Sequence, residues 1–226
     1  MDFFADEIRA TARDQREMKV LALELSTERG SLAWLDDGGD SIERDWPNDR
    51  KNSGPFFENL TAMRERFGLP EIIIVGLGPG SYAGVRIAIS TAIGLQAASN
   101  ARLIGLPSIC AIAGDAKHYC VIGDARRQSF FFARIDANEL MEGPTLLIEN
   151  ELRDKLDSLD GNMSIFASEN LPQFQRAIVR YPSAAILAQL ALGAHSSFAF
   201  PPLEPMYLRE PHITMPRKTI HSRLAS

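Results

Sequence analysis

Apolar and polar positions alternate in blocks that change period along the chain. Lys19 to Leu25 (KVLALEL) and Ser31 to Leu35 (SLAWL) each read as a buried strand. The polar Ser-Thr-Glu-Arg-Gly between them predicts a turn, so the two form a hairpin that opens a sheet. Asp36 to Asn52 is polar and carries Gly38, Gly39 and Pro47, which predicts loop or weak edge strand. The period then becomes helical. Phe56, Leu60, Met63 and Phe67 draw one apolar stripe that Phe57 widens, with Ser53 placed to cap the helix and Gly68 and Pro70 to stop it. Glu71 to Val75 (EIIIV) is β-branched and predicts a central strand. It flows into Gly76-Leu77-Gly78-Pro79-Gly80-Ser81-Tyr82-Ala83-Gly84, after which a long helix is expected from about Ser81 to Ser99. Arg102 to Leu106 predicts another strand and Pro107 the start of another helix.

The pattern then restarts. Tyr119 to Gly123 and Phe130 to Ile135 predict a second hairpin around Asp124-Ala125-Arg126-Arg127-Gln128. Weaker signals follow: a helix near Glu151 to Leu156, a strand at Ser164 to Ala167, and helices at Gln173 to Arg180 and Ser183 to Leu192. Five prolines between Phe200 and Pro216 predict a largely extended tail. A hairpin followed by α/β elements thus occurs twice, with a boundary near Lys117. Residues 18–117 form a first half and residues 118–226 a second, smaller one whose tail can pack back on the first. Residues 1–17 read as a short extension, or as sequence upstream of a true start at Met18.

Composition narrows the function. The 226 residues are 45% hydrophobic and 23% charged, enough to bury a real core. The net charge of −5 argues against a protein that grips nucleic acid alone through a broad basic surface. Cys110 and Cys120 form no C-x-x-C pair and read as reduced, buried thiols of a cytosolic protein. No apolar run reaches membrane-spanning length, so no membrane association is expected.

The glycine-rich junction can act in two ways. A strand-to-helix turn with glycines presents unpaired N–H groups and could cradle a phosphate on Gly78, Gly80 and Ser81. It could equally be a tight turn that binds nothing. No Gly-Lys-Ser/Thr follows, and the glycine spacing fits a dinucleotide fingerprint poorly. The helix beyond it is over-apolar: Val85, Ile87, Ala88, Ile89, Ala92, Ile93, Leu95, Ala97 and Ala98 leave almost no polar face. Such a helix must be covered on both sides, either within the chain or by a partner. The Phe56–Phe67 stripe could join the same surface.

Catalytic groups are scarce. His118, His195, His212 and His221 show no metal-ligand spacing, and no hydrolase elbow is present. Glu24 and Asp124 each end the first strand of a half.

Three stretches resemble the bacterial TsaB family, also called YeaZ: Leu21 to Thr27 (LALELST), Gly78 to Arg86 (GPGSYAGVR, where the family has GPGSFTGVR) and Tyr207-Leu208-Arg209. Asp124 to Arg127 resembles the family's second hairpin turn. The resemblance covers about Met18 to Arg209 and implies an α/β fold of the actin-like ATPase (ASKHA) superfamily with two RNase H-like halves. It implies a non-catalytic subunit that binds and activates a TsaD-like threonylcarbamoyltransferase in the t6A modification of ANN-decoding tRNAs, with a TsaE-like ATPase completing the assembly. A homodimer is expected when the chain is alone, with tRNA contact only within the complex and a cytoplasmic location. The catalytic relatives carry H-x-x-x-H where this chain has Ser108 and Ile112, and isoleucine has no donor atom, so neither a metal site nor transfer chemistry is expected here. No cofactor is required by the chain alone, and ATP or ADP can sit at the partner interface, with Glu24, where the family usually has Asp, Gly78, Gly80 and Ser81 as its contacts. Phe56, Leu60, Met63, Phe67, Val85, Ile89, Ala92 and Ile93 are the expected partner surface, and a charge at Ile89 or Ala92 is expected to abolish pairing. The alternatives are a stand-alone ATPase or small kinase using Glu24 and the glycine loop and, ranked last, a glycoprotease-like peptidase.

Overall fold

The computed structural model describes residues 18–36, 41–49, 52–112, 116–193 and 196–209. The expectations for residues 1–17, for His195, His212 and His221, and for the tail beyond Arg209 lie outside them.

The first apolar runs form strands β1 (Val20–Glu24) and β2 (Arg29–Leu35), paired antiparallel from Val20 opposite Leu35 to Glu24 opposite Ser31. The polar stretch supplies an edge strand, β3 (Ser41–Pro47). Helix α1 (Gly54–Phe67) leads to β4 (Ile72–Gly76), parallel to β1, and helix α2 (Tyr82–Ser99) leads to β5 (Arg102–Leu106), parallel to β4. After a short 3-10 turn at Ser108–Ala111 the second half repeats this plan. Strands β6 (His118–Asp124), β7 (Ser129–Asp136) and β8 (Glu139–Ile148) form a meander, followed by helix α3 (Glu149–Asp157), β9 (Ser164–Ala167), β10 (Ala177–Val179) and helix α4 (Ala184–Ala191). The sheets run β3-β2-β1-β4-β5 and β10-β9-β6-β7-β8, which is one strand order used twice.

Alternation along β1 sends its side chains into two cores. Leu21 and Leu23 meet Phe56, Leu60, Met63, Val85, Ala88 and Ala92 under α1 and α2. Val20 and Ala22 face the other way, into a core shared with Val121, Ala133 and Ile135 of the second sheet and with Ala184, Leu187 and Ala188 of α4. A third core lies beneath α3, around Phe132, Leu152 and Ile165.

Four local expectations change. Ser53 sits at the start of α1 without capping it; the Asn52 side-chain oxygen accepts the Gly54 N–H at 2.9 Å instead. Phe57 turns outward, 45% exposed. The stretch 173–180, read as helix, holds a turn and then β10, parallel to β9. Its β-branched Ile178 and Val179 precede Pro182, which disfavours helix in the residue before it, and the free edge of β9 is there to pair with. The helix expected from Pro107 stops after one turn, because Ile112 leaves to bridge Pro182. Strand β8 had no sequence counterpart. It is an edge strand that tolerates Pro144, with register irregularities opposite Phe132 to Ile135.

Candidate functional site

The glycine motif is a seat for the end of β1. A Cβ on Gly76 would lie 1.8 Å from a Glu24 carboxylate oxygen; on Gly80, 2.1 Å from the Ser26 carbonyl; on Gly84, 2.1 Å from the Leu25 carbonyl. No side chain fits any of these positions, so three glycines at four-residue intervals let the strand-to-helix turn close over Glu24 to Ser26. Three of the turn's amides are engaged within the chain. The Gly78 N–H donates to Ser108 Oγ at 2.9 Å, Ser81 to the Ser26 carbonyl at 2.5 Å and Gly84 to Ser81 Oγ at 3.3 Å. Ser81 is thus the N-cap of α2.

Glu24 is fully buried beneath this turn. Its Oε1 accepts the Ser26 N–H at 2.6 Å, while Oε2 and the buried Ser26 hydroxyl have no partner. Burial raises the Glu24 pKa above the usual carboxylate range, against the pull of the Ser108 and Ser26 hydroxyls. A proton on Oε2 removes the charge and can be donated to Ser108 Oγ, which lies against the same face of Gly76.

Above it lies a cleft of about 470 Å³ between the halves. The first half contributes the β1–β2 turn (Ser26 to Glu28) and Pro79 to Ala83; the second contributes Gly123 to Arg126 with Ser168 and Glu169. Asp124, at the position equivalent to Glu24, is on this wall and partly exposed. Its side chain accepts the Arg126 N–H at 2.7 Å, and Glu169 accepts the Asp124 N–H at 2.8 Å. The two strand-end acids therefore differ: one is buried under the loop, the other lines the cleft. Gly78 and Ser81, two of the residues expected to hold a phosphate, spend their amides within the chain. Glu24 is buried beneath the turn, and Glu28, Asp124 and Glu169 line the cleft together with Arg126.

The remaining chemistry is quiet. Ser108 and Ile112 are both buried. Cys110 and Cys120 are free thiols pushed up to about 12 and about 11, chiefly by burial. His118 pairs with Asp136 at 2.8 Å on the surface. Among the described residues no three His, Cys, Asp or Glu side chains gather as metal ligands would, and no helix is long and apolar enough to cross a membrane.

The residues expected to meet a partner divide. Phe56, Leu60, Met63, Val85, Ile89 and Ala92 are buried in the chain's own core, and Phe67 stacks on Trp34 with ring centres 5.2 Å apart. A charge at Ile89 or Ala92 would therefore disrupt the fold before it tested any interface. Ile93 alone of the eight points outward, 50% exposed, on a face of α2 completed by Ser90, Gly94 and Ala97. Sequence reading missed the exposed Tyr82–Tyr207 pair, its ring centres 5.4 Å apart. Both residues sat inside quoted motifs, and only the folded tail joins them.

Residues 66–207 match the family described as TsaD, tRNA N6-adenosine threonylcarbamoyltransferase. No curated protein sequence matches the chain. Among solved structures, the chain is similar to an uncharacterized Pseudomonas aeruginosa protein described as similar to peptidase YEAZ, at TM-score 0.64 and 21% identity over 84% of this chain and 99% of that one. It is also similar to YeaZ from Pseudomonas aeruginosa, at TM-score 0.62 and 21% identity over 76% and 90%. With the doubled strand order, these likenesses show the fold: a two-half α/β architecture shared with the YeaZ structures.

Proposed function

Because the chain belongs to the TsaD family of tRNA N6-adenosine threonylcarbamoyltransferases, we propose that it is a TsaB/YeaZ-type member: a non-catalytic subunit that binds and activates a separate TsaD-like transferase. The observation that carries this reading is the outer face of α2. Its inner face is buried on the sheet, yet the outer one bears Ser90, Ile93, Gly94 and Ala97. Small side chains let a second helix approach closely, and burying Ile93 gives that contact an apolar centre. Phe57 on α1 is a second large apolar side chain left exposed in this half.

The chemistry of the loops supports a subunit rather than an enzyme. Ser108 is committed to the Gly78 amide and Ile112 offers no donor atom, so neither replaces the histidines of the catalytic relatives. The assembly would act on ANN-decoding tRNAs in the cytoplasm, with a TsaE-like ATPase as a further component. Alone, two copies of the chain would pair through the same face.

The test is size-exclusion chromatography with light scattering, on the chain alone and mixed with the TsaD-like protein of the same organism, followed by an assay of threonylcarbamoyl transfer to tRNA. A heteromeric peak and transfer only in the mixture are expected. Ile93→Glu should leave the chain folded and remove the peak, since the charge falls on a surface that is solvated in the free chain and buried in the complex. ATP turnover by the isolated chain, lost on Asp124→Ala, would instead establish the stand-alone ATPase.

A further inference from the structure

The outer surface of α2 changes character along its length. The partner face of Ser90, Ile93, Gly94 and Ala97 is small and aliphatic, whereas the first turn is aromatic and cationic. Tyr82 is 46% exposed, and Tyr207 of the tail, 43% exposed, lies beside it at 37° between ring planes. The Arg86 guanidinium stands 5.1 Å from the Tyr82 ring centre and donates to its hydroxyl at 2.7 Å. From the tail, Arg209 reaches the Arg126 carbonyl at 3.5 Å, on the turn between β6 and β7. That turn holds Arg126, Arg127 and Gln128 with φ of 65°, 54° and 58°, a left-handed run that costs non-glycine residues backbone energy and leaves both arginines exposed.

Charge alone does not define the patch. Asp124 pairs with Arg126 at 3.4 Å, Glu169 is beside Asp124, Glu28 lines the same cleft and Glu204 is near Tyr207, so four guanidinium groups meet four carboxylates. The two tyrosine rings, each nearly half exposed, decide its character. Rings flanked by arginines suit a ligand with both flat bases and phosphates. An apolar helix laid here would instead leave Arg86, Arg127 and Arg209 unpaired beneath it.

We propose that this patch binds single-stranded RNA, with bases stacking on Tyr82 and Tyr207 and phosphates met by Arg86, Arg126, Arg127 and Arg209. The inference deepens the proposed function and rests on it for its setting: it names where the RNA substrate of the assembly runs on this chain, next to the partner face.

The test uses a fluorescently labelled single-stranded RNA of about fifteen nucleotides, the span such surfaces cover. Binding is followed by anisotropy with the whole chain and with its complex with the TsaD-like protein; complex formation is followed separately by light scattering. Tyr82→Ala and Tyr207→Ala should each weaken RNA binding about tenfold, and Arg127→Gln should flatten the salt dependence by about one ion. All three positions are exposed, and complex formation should not change. RNA binding unaltered in the three variants, or none by either chain or complex, overturns the proposal. Variants that lose the complex but keep RNA binding make the patch a protein interface and also overturn it. A chain that binds RNA through these tyrosines yet pairs with no partner upholds the patch and rejects the partner reading.

Discussion

A carboxyl group taken out of water without a full set of donors favours its neutral form, and Glu24 is in that position: one oxygen accepts the Ser26 N–H, the other accepts nothing. Its pKa is raised in the folded state, so the stability it contributes is complete below the unfolded value of about 4.3 and is lost as pH rises through the folded value. Glutamine keeps the acceptor for Ser26, can donate to Ser108 Oγ and does not titrate. Urea unfolding of wild type and Glu24→Gln between pH 4.5 and 8 should therefore show a gap that widens in favour of the variant, by up to about 1.4 kcal/mol per pH unit until the folded pKa is passed. A gap independent of pH would mean that Glu24 is ionised in the fold. Sequence could not separate Glu24 from Asp124, since each ends the first strand of a half. What separates them is the cover of Gly76 and Ser108 over one of them, and those residues lie far along the chain.

At the level of elements, helix α2 carries two glycines with opposite duties. Gly84 stands where a Cβ would meet the Leu25 carbonyl at 2.1 Å, whereas Gly94 has nothing within 4 Å. Alanine is the better helix former by about 1 kcal/mol, so Gly94→Ala should raise the unfolding free energy of the free chain by up to that amount. At Gly84 the same gain is outweighed by overpacking against backbone that cannot swing aside, and Gly84→Ala should lose about 1–3 kcal/mol. Chemical denaturation of the two variants checks both signs; a stabilised Gly84→Ala would remove the close approach from the explanation of the motif. The elements themselves were legible wherever the period was strong: β1, β2, β4, β9 and both long helices fall within a few residues of expectation. Periodicity could not say what covers each stripe. It put Phe56, Leu60 and Met63 on one face without revealing that the chain's own sheet, rather than a partner, occupies that face. It also missed β8 and β10, edge strands formed because a neighbour offers a free edge and not because their own residues insist on it.

At the scale of the whole molecule, the two sheets are joined by elements late in the chain. Helix α4 follows the second sheet but lies against β1, β2 and β4 of the first. Its start is fixed there: the Ala184 N–H donates to Ser31 Oγ at 3.0 Å, and the Ser183 hydroxyl donates to Glu43 at 2.8 Å. Beyond it Ala199 pairs with Gly105, Leu203 enters the core under α2, and the Met206 N–H donates to the Leu77 carbonyl at 2.8 Å. The inner face of the first sheet is thus finished by residues of the second half, and the halves should unfold as one cooperative unit. The chain supplies its own reporters, because both tryptophans, Trp34 and Trp46, belong to the first half. Their fluorescence follows that half alone, while far-ultraviolet circular dichroism follows both, and the two urea transitions should coincide. Leu187, fully buried at the centre of α4, provides the perturbation. Leu187→Ala should cost about 2–5 kcal/mol and move both transitions together, although the substitution is far along the chain from either tryptophan. If the fluorescence transition stayed in place while part of the dichroism moved, the first half would be stable without its cover, and α4 would be an attachment rather than part of the core.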